Sequence, residues 1–310
     1  MSLLQVLSYL AVLIFIISVA AKMIRIARMP LHLRWDLYPI PHEKGKAEYG
    51  GSYFETVDWW TKPKNISLIS ELKEMLKEIV LIQSVYENNR PLWVFSFPFH
   101  FGMYCLIAFV VLLGVGAILS AAGVEVSAAS SSVITVILHH LTVTLGTAGW
   151  LLSAVGAFGL LLLRTFASQL RRAAVLSDYV NLLFLLAVFV TGYWTYQTAD
   201  PAYAQLRGYI QSLITFQPAA PLSGAGSVLV WLTVALLVYF PFTHMTHMFG
   251  KYFTYHKVRW EDEPNQPGGS VEKAVAESLG RRVTWNAPHV KTGGTWAEAA
   301  TASEENDKDE

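Results

Sequence analysis

The chain has 310 residues, with 23 basic and 23 acidic side chains, 53% hydrophobic and only 15% charged residues, and a mean hydropathy of +0.38. A soluble domain carries about 25% charged residues, so this is the composition of a membrane protein, and the balanced charge argues for no nucleic-acid partner. The single cysteine, Cys105, excludes an internal disulfide, a thiolate zinc site, an iron-sulfur cluster and the C-x-x-C-H attachment of c-type haem; any electron carrier here has other ligands.

Five stretches lack Asp, Glu, Lys and Arg: 1–21, 91–124, 126–163, 179–199 and 208–250. Each supplies the roughly 20 apolar residues that cross about 30 Å of hydrocarbon. The expected fold class is therefore all-α, an integral membrane five-helix bundle over 1–250, with spans near 3–25, 92–119, 132–164, 179–197 and 227–250. The first stretch carries its charges after it, at Lys22, Arg25, Arg28 and Arg34, the reverse of a signal peptide. An uncleaved span with the N-terminus outside follows. With that start, the inner segments and inner span ends hold every basic residue except Arg207, the asymmetry of the positive-inside rule. The C-terminus is then cytoplasmic.

Between the first two spans lies a cytoplasmic loop, 26–91. Its first part, 29–65, mixes Pro, Gly and aromatics and reads as an ordered loop with little regular structure. Over 66–84, Ile66, Ile69, Leu72, Met75, Leu76, Ile79 and Ile82 recur at helical spacing between Glu and Lys residues, which predicts an amphipathic helix. It either lies in the headgroup region or docks a cytoplasmic partner. The outer loops, near 120–131 and 198–226, are small, apolar and dotted with Ser, Gly and Pro. The cytoplasmic tail, 251–310, is basic and aromatic up to Trp260 and then polar, and 261–310 is expected to be disordered in the free chain.

Ionisable residues inside spans are costly and point to function. Five histidines lie there: His100 in the second span, His139 and His140 in the third, His244 and His247 in the fifth. Counted from the inner ends, His100, His244 and His247 share a depth on two helices, as bis-histidine haem b requires: two neutral imidazoles reach iron from opposite faces of a flat ring. Depth favours His244 as the partner of His100, with His247, one turn away, as a supporting group. Pro98 precedes His100 in Phe-Pro-Phe-His and Pro241 precedes His244 in Phe-Pro-Phe-Thr-His, so both helices are expected to kink there. His139 and His140 lie about 16 Å from His100 in depth, near the outer end of their span. Three readings stand for them: a second haem, with His140 or its neighbour as a metal ligand; a quinone site in which an imidazole bonds a carbonyl and takes a proton; or hydrogen-bonded interfacial residues.

Several stretches carry a resemblance: Leu33-Arg34-Trp35-Asp36-Leu37-Tyr38-Pro39 with Pro41-His42-Glu43, Tyr49-Gly50-Gly51-Ser52-Tyr53, Asn89-Arg90-Pro91-Leu92-Trp93 through Phe97-Pro98-Phe99-His100-Phe101, Ser177-Asp178-Tyr179-Val180-Asn181-Leu182, and Pro241-Phe242-Thr243-His244-Met245-Thr246-His247 through Tyr255-His256-Lys257-Val258-Arg259-Trp260. The five-span plan is similar to the gamma subunit of respiratory nitrate reductase, a dihaem cytochrome b. The motifs resemble more closely the membrane cytochrome b of sulfate-reducer redox complexes, among them the sulfite-reduction-associated, tetrahaem and high-molecular-weight cytochrome complexes, relatives of the heterodisulfide reductase membrane subunit. The resemblance implies a bacterial or archaeal cytoplasmic membrane, a menaquinone pool, and a cytoplasmic iron-sulfur partner of heterodisulfide-reductase type, with a periplasmic multihaem cytochrome c and further membrane subunits as other candidates. It carries the inner haem onto His100 and His244. The nitrate reductase pattern has a further histidine on each of the second and fifth spans; Val110 and Gly226 stand there, which leaves the outer haem without those ligands. The rival from another class is a haem-free membrane anchor or a transporter whose histidines relay protons.

Overall fold

A computed structural model describes residues 1–28, 43–46, 49, 51–63, 65–253, 263–287 and 290–302. Of the described residues, 74% are helical and none lies in a β-strand. Five helices are long and apolar enough to cross a membrane. In chain order the helices are α1 (Leu3–Ala27), α2 (Leu68–Leu81), α3 (Gln83–Asn88), α4 (Arg90–Ala121), α5 (Val133–Phe166), α6 (Ser168–Ala173), α7 (Leu176–Thr198), α8 (Ala204–Ile214), α9 (Gly224–Tyr239), α10 (His247–Phe253), α11 (Ser270–Leu279) and α12 (Trp296–Thr301).

Two units form, one from 1–18 with 76–244 and one from 19–75 with 245–310. The first is the helical bundle, in which α4 packs along α5, α5 along α7 and α7 along α9, while α8 packs on α4. Helices in lipid gain nothing from hiding apolar surface and associate through close van der Waals fit, which small residues permit. α5 supplies them along its buried face at Gly146, Gly149, Ser153, Gly156 and Gly159. A methyl at Gly149 would meet Leu106 at 2.8 Å, one at Gly146 would meet Phe109 at 2.7 Å, and one at Gly102 of α4 would meet the Ser153 nitrogen and hydroxyl at 2.5 Å. Beside this seam Phe99, Phe109, Trp150 and Phe189 form an aromatic core that joins α4, α5 and α7.

Three expectations change. The fifth span is not one helix to 250. α9 stops at Tyr239, 3-10 turns follow at Phe240–Phe242 and His244–Thr246, and Thr243 between them is extended. Pro241 has no N–H to continue the ladder, so the chain breaks where only a kink is expected. The amphipathic helix ends at Leu81 rather than 84, because Ile82 adopts the left-handed conformation (φ 52°) before α3. The segment 198–226, expected as a loop, is not merely a connection, since it contains α8. Polar bonds tie α8 and its exit to α1: Gln5 Nε2 donates to Ser212 Oγ (3.1 Å) and to the Gln217 carbonyl (2.8 Å), Ser8 pairs with the Tyr209 hydroxyl, and Tyr9 donates to the Leu213 carbonyl.

In the second unit, Glu43 is fully buried and accepts from Ser52 Oγ and the Tyr53 N–H. The turns Tyr53–Glu55 and Trp59–Thr61 are the regular elements between 43 and 63. The stretch 29–42 lies outside the described residues, as do 254–262 and 303–310. The tail is nevertheless structured in part, against the expectation of disorder. Val271, Val283 and Val290 are buried, and Thr295 and Glu298 form a reciprocal cap at the start of α12. The Thr-x-x-Glu signature of that cap stands in the sequence.

The glycine seam makes a direct prediction. Gly156→Val drives a branched side chain into the Phe99 backbone and is expected to destabilise the bundle by about 1–3 kcal/mol. Gly114→Ala, on the same pair of helices but with nothing within 4 Å, is expected to be neutral or slightly stabilising. Unfolding midpoints in detergent check both.

Candidate functional site

At one end of the bundle α5 finishes and α7 begins, and their charges meet. Arg164 Nη1 donates to Asp178 Oδ2 at 2.8 Å, Tyr179 donates to the Arg164 carbonyl, and the Val175 N–H reaches the same Asp178 oxygen. The buried Asn181, one turn into α7, accepts from the Tyr239 hydroxyl at Oδ1 (2.8 Å). That bond orients the amide, so its NH₂ is the group facing His244 Nδ1, at 3.4 Å. His244 Nε2 in turn lies 3.5 Å from Asp178 Oδ1. Tyr239, Asn181, His244, Asp178 and Arg164 thus form a continuous polar run across α9, α7 and α5. The two His244 contacts are long and weak, and its side chain is 58% exposed.

His100 is half-buried on α4. Its Nδ1 lies 2.7 Å from the Ser96 carbonyl. A carbonyl only accepts, so Nδ1 carries the proton and Nε2 the lone pair. Metal-bound histidines take this form, with the far ring N–H held by an acceptor that fixes the tautomer and raises the basicity of the ligating nitrogen.

The expectation that His100, His244 and His247 share one depth changes. Phe99, next to His100, packs on Gly156, whereas His244 faces Asp178, the partner of Arg164. From Gly156 to Arg164 the rise along α5 is about 12 Å. His247 opens α10, beyond the 3-10 turn that carries His244, so the two are not successive turns of one helix.

At the opposite end of the bundle His139 and His140 meet edge to face, ring centroids 5.2 Å apart. His140 is exposed; His139 is partly buried, and its Nδ1 is a buried ring nitrogen with no hydrogen-bond partner. Beside it stand α8 and the turn that leads into it. Asp200 is buried and accepts from the Leu206 N–H. Tyr203 is fully buried in the left-handed conformation, its ring 4.6 Å from Phe109 and 5.6 Å from Tyr196. Arg207 lies over Gly116, where an added methyl would meet its Cδ at 3.1 Å. Burial pulls the Arg207 guanidinium below its usual range while Asp200 pushes it back up, and burial raises the Tyr203 phenol.

The structure therefore adds Arg164, Asp178, Asn181 and Tyr239 at one end, and Asp200, Tyr203 and Arg207 at the other, to the histidines read from sequence. A signal for Arg207 existed: it is the one basic residue on its side of the expected topology. Asp178 and Asn181 stand inside a family-like stretch, but their contact with His244 is a tertiary fact. Among the described residues no group of three or more His, Cys, Asp or Glu gathers as a metal-ion site.

A family model described as the nitrate reductase gamma subunit matches residues 83–261. No curated protein sequence matches the chain. That family comprises haem b membrane subunits of quinone-linked redox complexes. The donor chemistry suits such a group at His100, which has the tautomer of a ligand, whereas both ring nitrogens of His244 face polar partners in the run described above.

The polar run at the Asp178 end predicts a stability effect independent of any cofactor. Asn181→Leu leaves the Tyr239 hydroxyl facing an apolar group and is expected to cost about 1–3 kcal/mol. Pairing it with Tyr239→Phe recovers part of that loss, read as unfolding midpoints in a double-mutant cycle.

Proposed function

The chain belongs to the nitrate reductase gamma subunit family, and from that membership we propose that it is the membrane cytochrome b of a respiratory complex, passing electrons between a menaquinone pool and a cytoplasmic iron-sulfur subunit of heterodisulfide-reductase type. The N-terminus and α8 face outward and the Arg164–Asp178 end faces the cytoplasm, as the charge asymmetry favours. His100 supplies one ligand of an inner haem b; His244, about 12 Å from it in depth and turned toward Asn181 and Asp178, reaches the same iron only by leaving that polar run. When bound, the haem supplies one-electron chemistry at a potential set by its ligands and burial.

The observation that carries this reading is the bond from His100 Nδ1 to the Ser96 carbonyl, which prepares Nε2 as a donor at membrane depth. The chain's own residues then do three things. Ser96 orients the His100 ring. Asp178, paired with Arg164, gives the His244 ring a carboxylate neighbour. At the outer end, the unpartnered Nδ1 of His139 gives a quinol hydroxyl a hydrogen-bond acceptor, and the positive charge of Arg207 nearby favours the anion that the hydroxyl leaves on losing its proton. Quinol oxidation there releases protons outward. The same buried nitrogen also favours a second reading of that end, as a ligand position for a second haem. A sulfate-reducer type of complex is the proposed setting, with a periplasmic multihaem cytochrome c and further membrane subunits as additional partners.

A pyridine haemochrome assay on the purified chain separates these readings. A value near two haems per polypeptide assigns His139 or His140 to iron; a value near one leaves them to quinone; haem-free protein from a preparation that retained its lipids returns the chain to the anchor reading. In reduced-minus-oxidised spectra, His100→Ala and His244→Ala are each expected to abolish the inner b-type signal and His247→Ala to shift it. A full signal in both alanine variants sinks the ligand pair.

A further inference from the structure

α2 lies outside the matched residues 83–261, yet its carboxyl end is fastened to the helix that carries His100. The last carbonyls of a helix have no intrahelical donor, and in hydrocarbon they must find one elsewhere. Here α4 supplies two. The Tyr104 hydroxyl donates to the Ile79 carbonyl at 2.6 Å, and Trp93 Nε1 donates to the Leu81 carbonyl at 2.8 Å.

Trp93 and Tyr104 are eleven positions apart, and at about 100° per residue they return to nearly the same face of α4. His100 falls between them, within about 20° of Trp93 on the same count. The opposite face, with Phe99, Gly102 and Phe109, is spent on the α5 seam. The two bonds therefore bracket His100 along the chain, one about two turns toward the amino end and the other about one turn toward the carboxyl end. Ile82, buried and left-handed, turns the backbone between α2 and α3 at this level.

We propose that the end of α2 and the Ile82 elbow form a cover over the His100 face, pinned by Trp93 and Tyr104. These two are positioning residues: they hold the cover that keeps water and soluble reductants from the haem that His100 binds. The proposal rests on His100 being an iron ligand. It also makes the loop preceding the family core part of the electron-transfer site, since a cytoplasmic partner that moves α2 moves the cover.

The test uses the full-length holoprotein in detergent and reads two signals. The first is the rate at which dithionite, a small soluble anion, reduces the haem in stopped flow. Tyr104→Phe, which keeps the ring, and the Trp93→Phe/Tyr104→Phe double variant are expected to speed it several-fold while the low-spin b-type bands stay in place. The second does not need haem: with Cys105→Ala as background, Ile82→Cys is expected to react slowly with a water-soluble maleimide and several-fold faster once Tyr104→Phe is added. Unchanged rates in both assays overturn the proposal. Faster labelling with unchanged reduction also overturns it, because the elbow is then pinned without shielding the haem. His100→Ala in the same series isolates the premise: if haem b content is undiminished, the ligand assignment fails and the cover has nothing to shield, whatever the labelling shows.

Discussion

The close approach of α4 and α5 decides most of what the bundle can do. Two helices in lipid meet tightly only where side chains are small, and the seam at Gly102, Gly146, Gly149, Ser153 and Gly156 spends one face of each helix on that contact. Because α4 is committed on that side, its other face, with Trp93, His100 and Tyr104, is left for chemistry and for α2. Because α5 is committed, the functional groups gather at its two ends: Arg164 at one, His139 and His140 at the other. Trp150, packed against Gly192 and Phe189, then seats α7, and α7 in turn seats α9.

Much of this was legible in the sequence. The spans were, since a helix without charges over some twenty residues has few alternatives to crossing a membrane, and their observed limits fall within a few residues of the expected ones for the first four. His100 was legible as a candidate for the same reason. What sequence did not carry was the path of the chain where apolar periodicity is short or interrupted. α8 buries Leu206, Tyr209 and Ser212 on one face, three positions in eleven residues flanked by Pro and Gly, and that pattern is easily taken for a loop. The break after α9 depends on how far Pro241 disrupts the ladder, and a proline alone does not distinguish a kink from a stop. The contacts of His244 with Asp178 and Asn181 join residues about sixty positions apart and have no local signature. The seam glycines were visible as letters, but their role appears only with the facing helix in place.

The two ends of the bundle differ in kind. At the Asp178 end the charged groups are matched: Arg164 has its carboxylate, Asn181 has both a donor and an acceptor neighbour, and the ring of His244 joins the run. At the α8 end a partly buried cation, a buried carboxylate, a buried phenol and a buried imidazole nitrogen without a partner lie close together. Matched groups hold a geometry. The His139 Nδ1, the buried nitrogen there without a hydrogen-bond partner, in a low-dielectric setting favours a polar guest that completes it.

The interruption between Tyr239 and His247 separates two jobs that a continuous rod would have merged. In an unbroken helix, the placement of a side chain at 244 would be inherited from the packing of α9 along its whole length, and any shift of that packing would be relayed as a rigid rotation. Here the backbone gives up that lever arm. The imidazole is located instead by the amide of Asn181 and the carboxylate of Asp178, both on the first turns of α7, so it follows α7 rather than the helix that precedes it in the chain. Displacement of α9 in the lipid plane then reaches the ring as a pull on Asn181 through the Tyr239 hydroxyl, and not as a rigid rotation of the backbone.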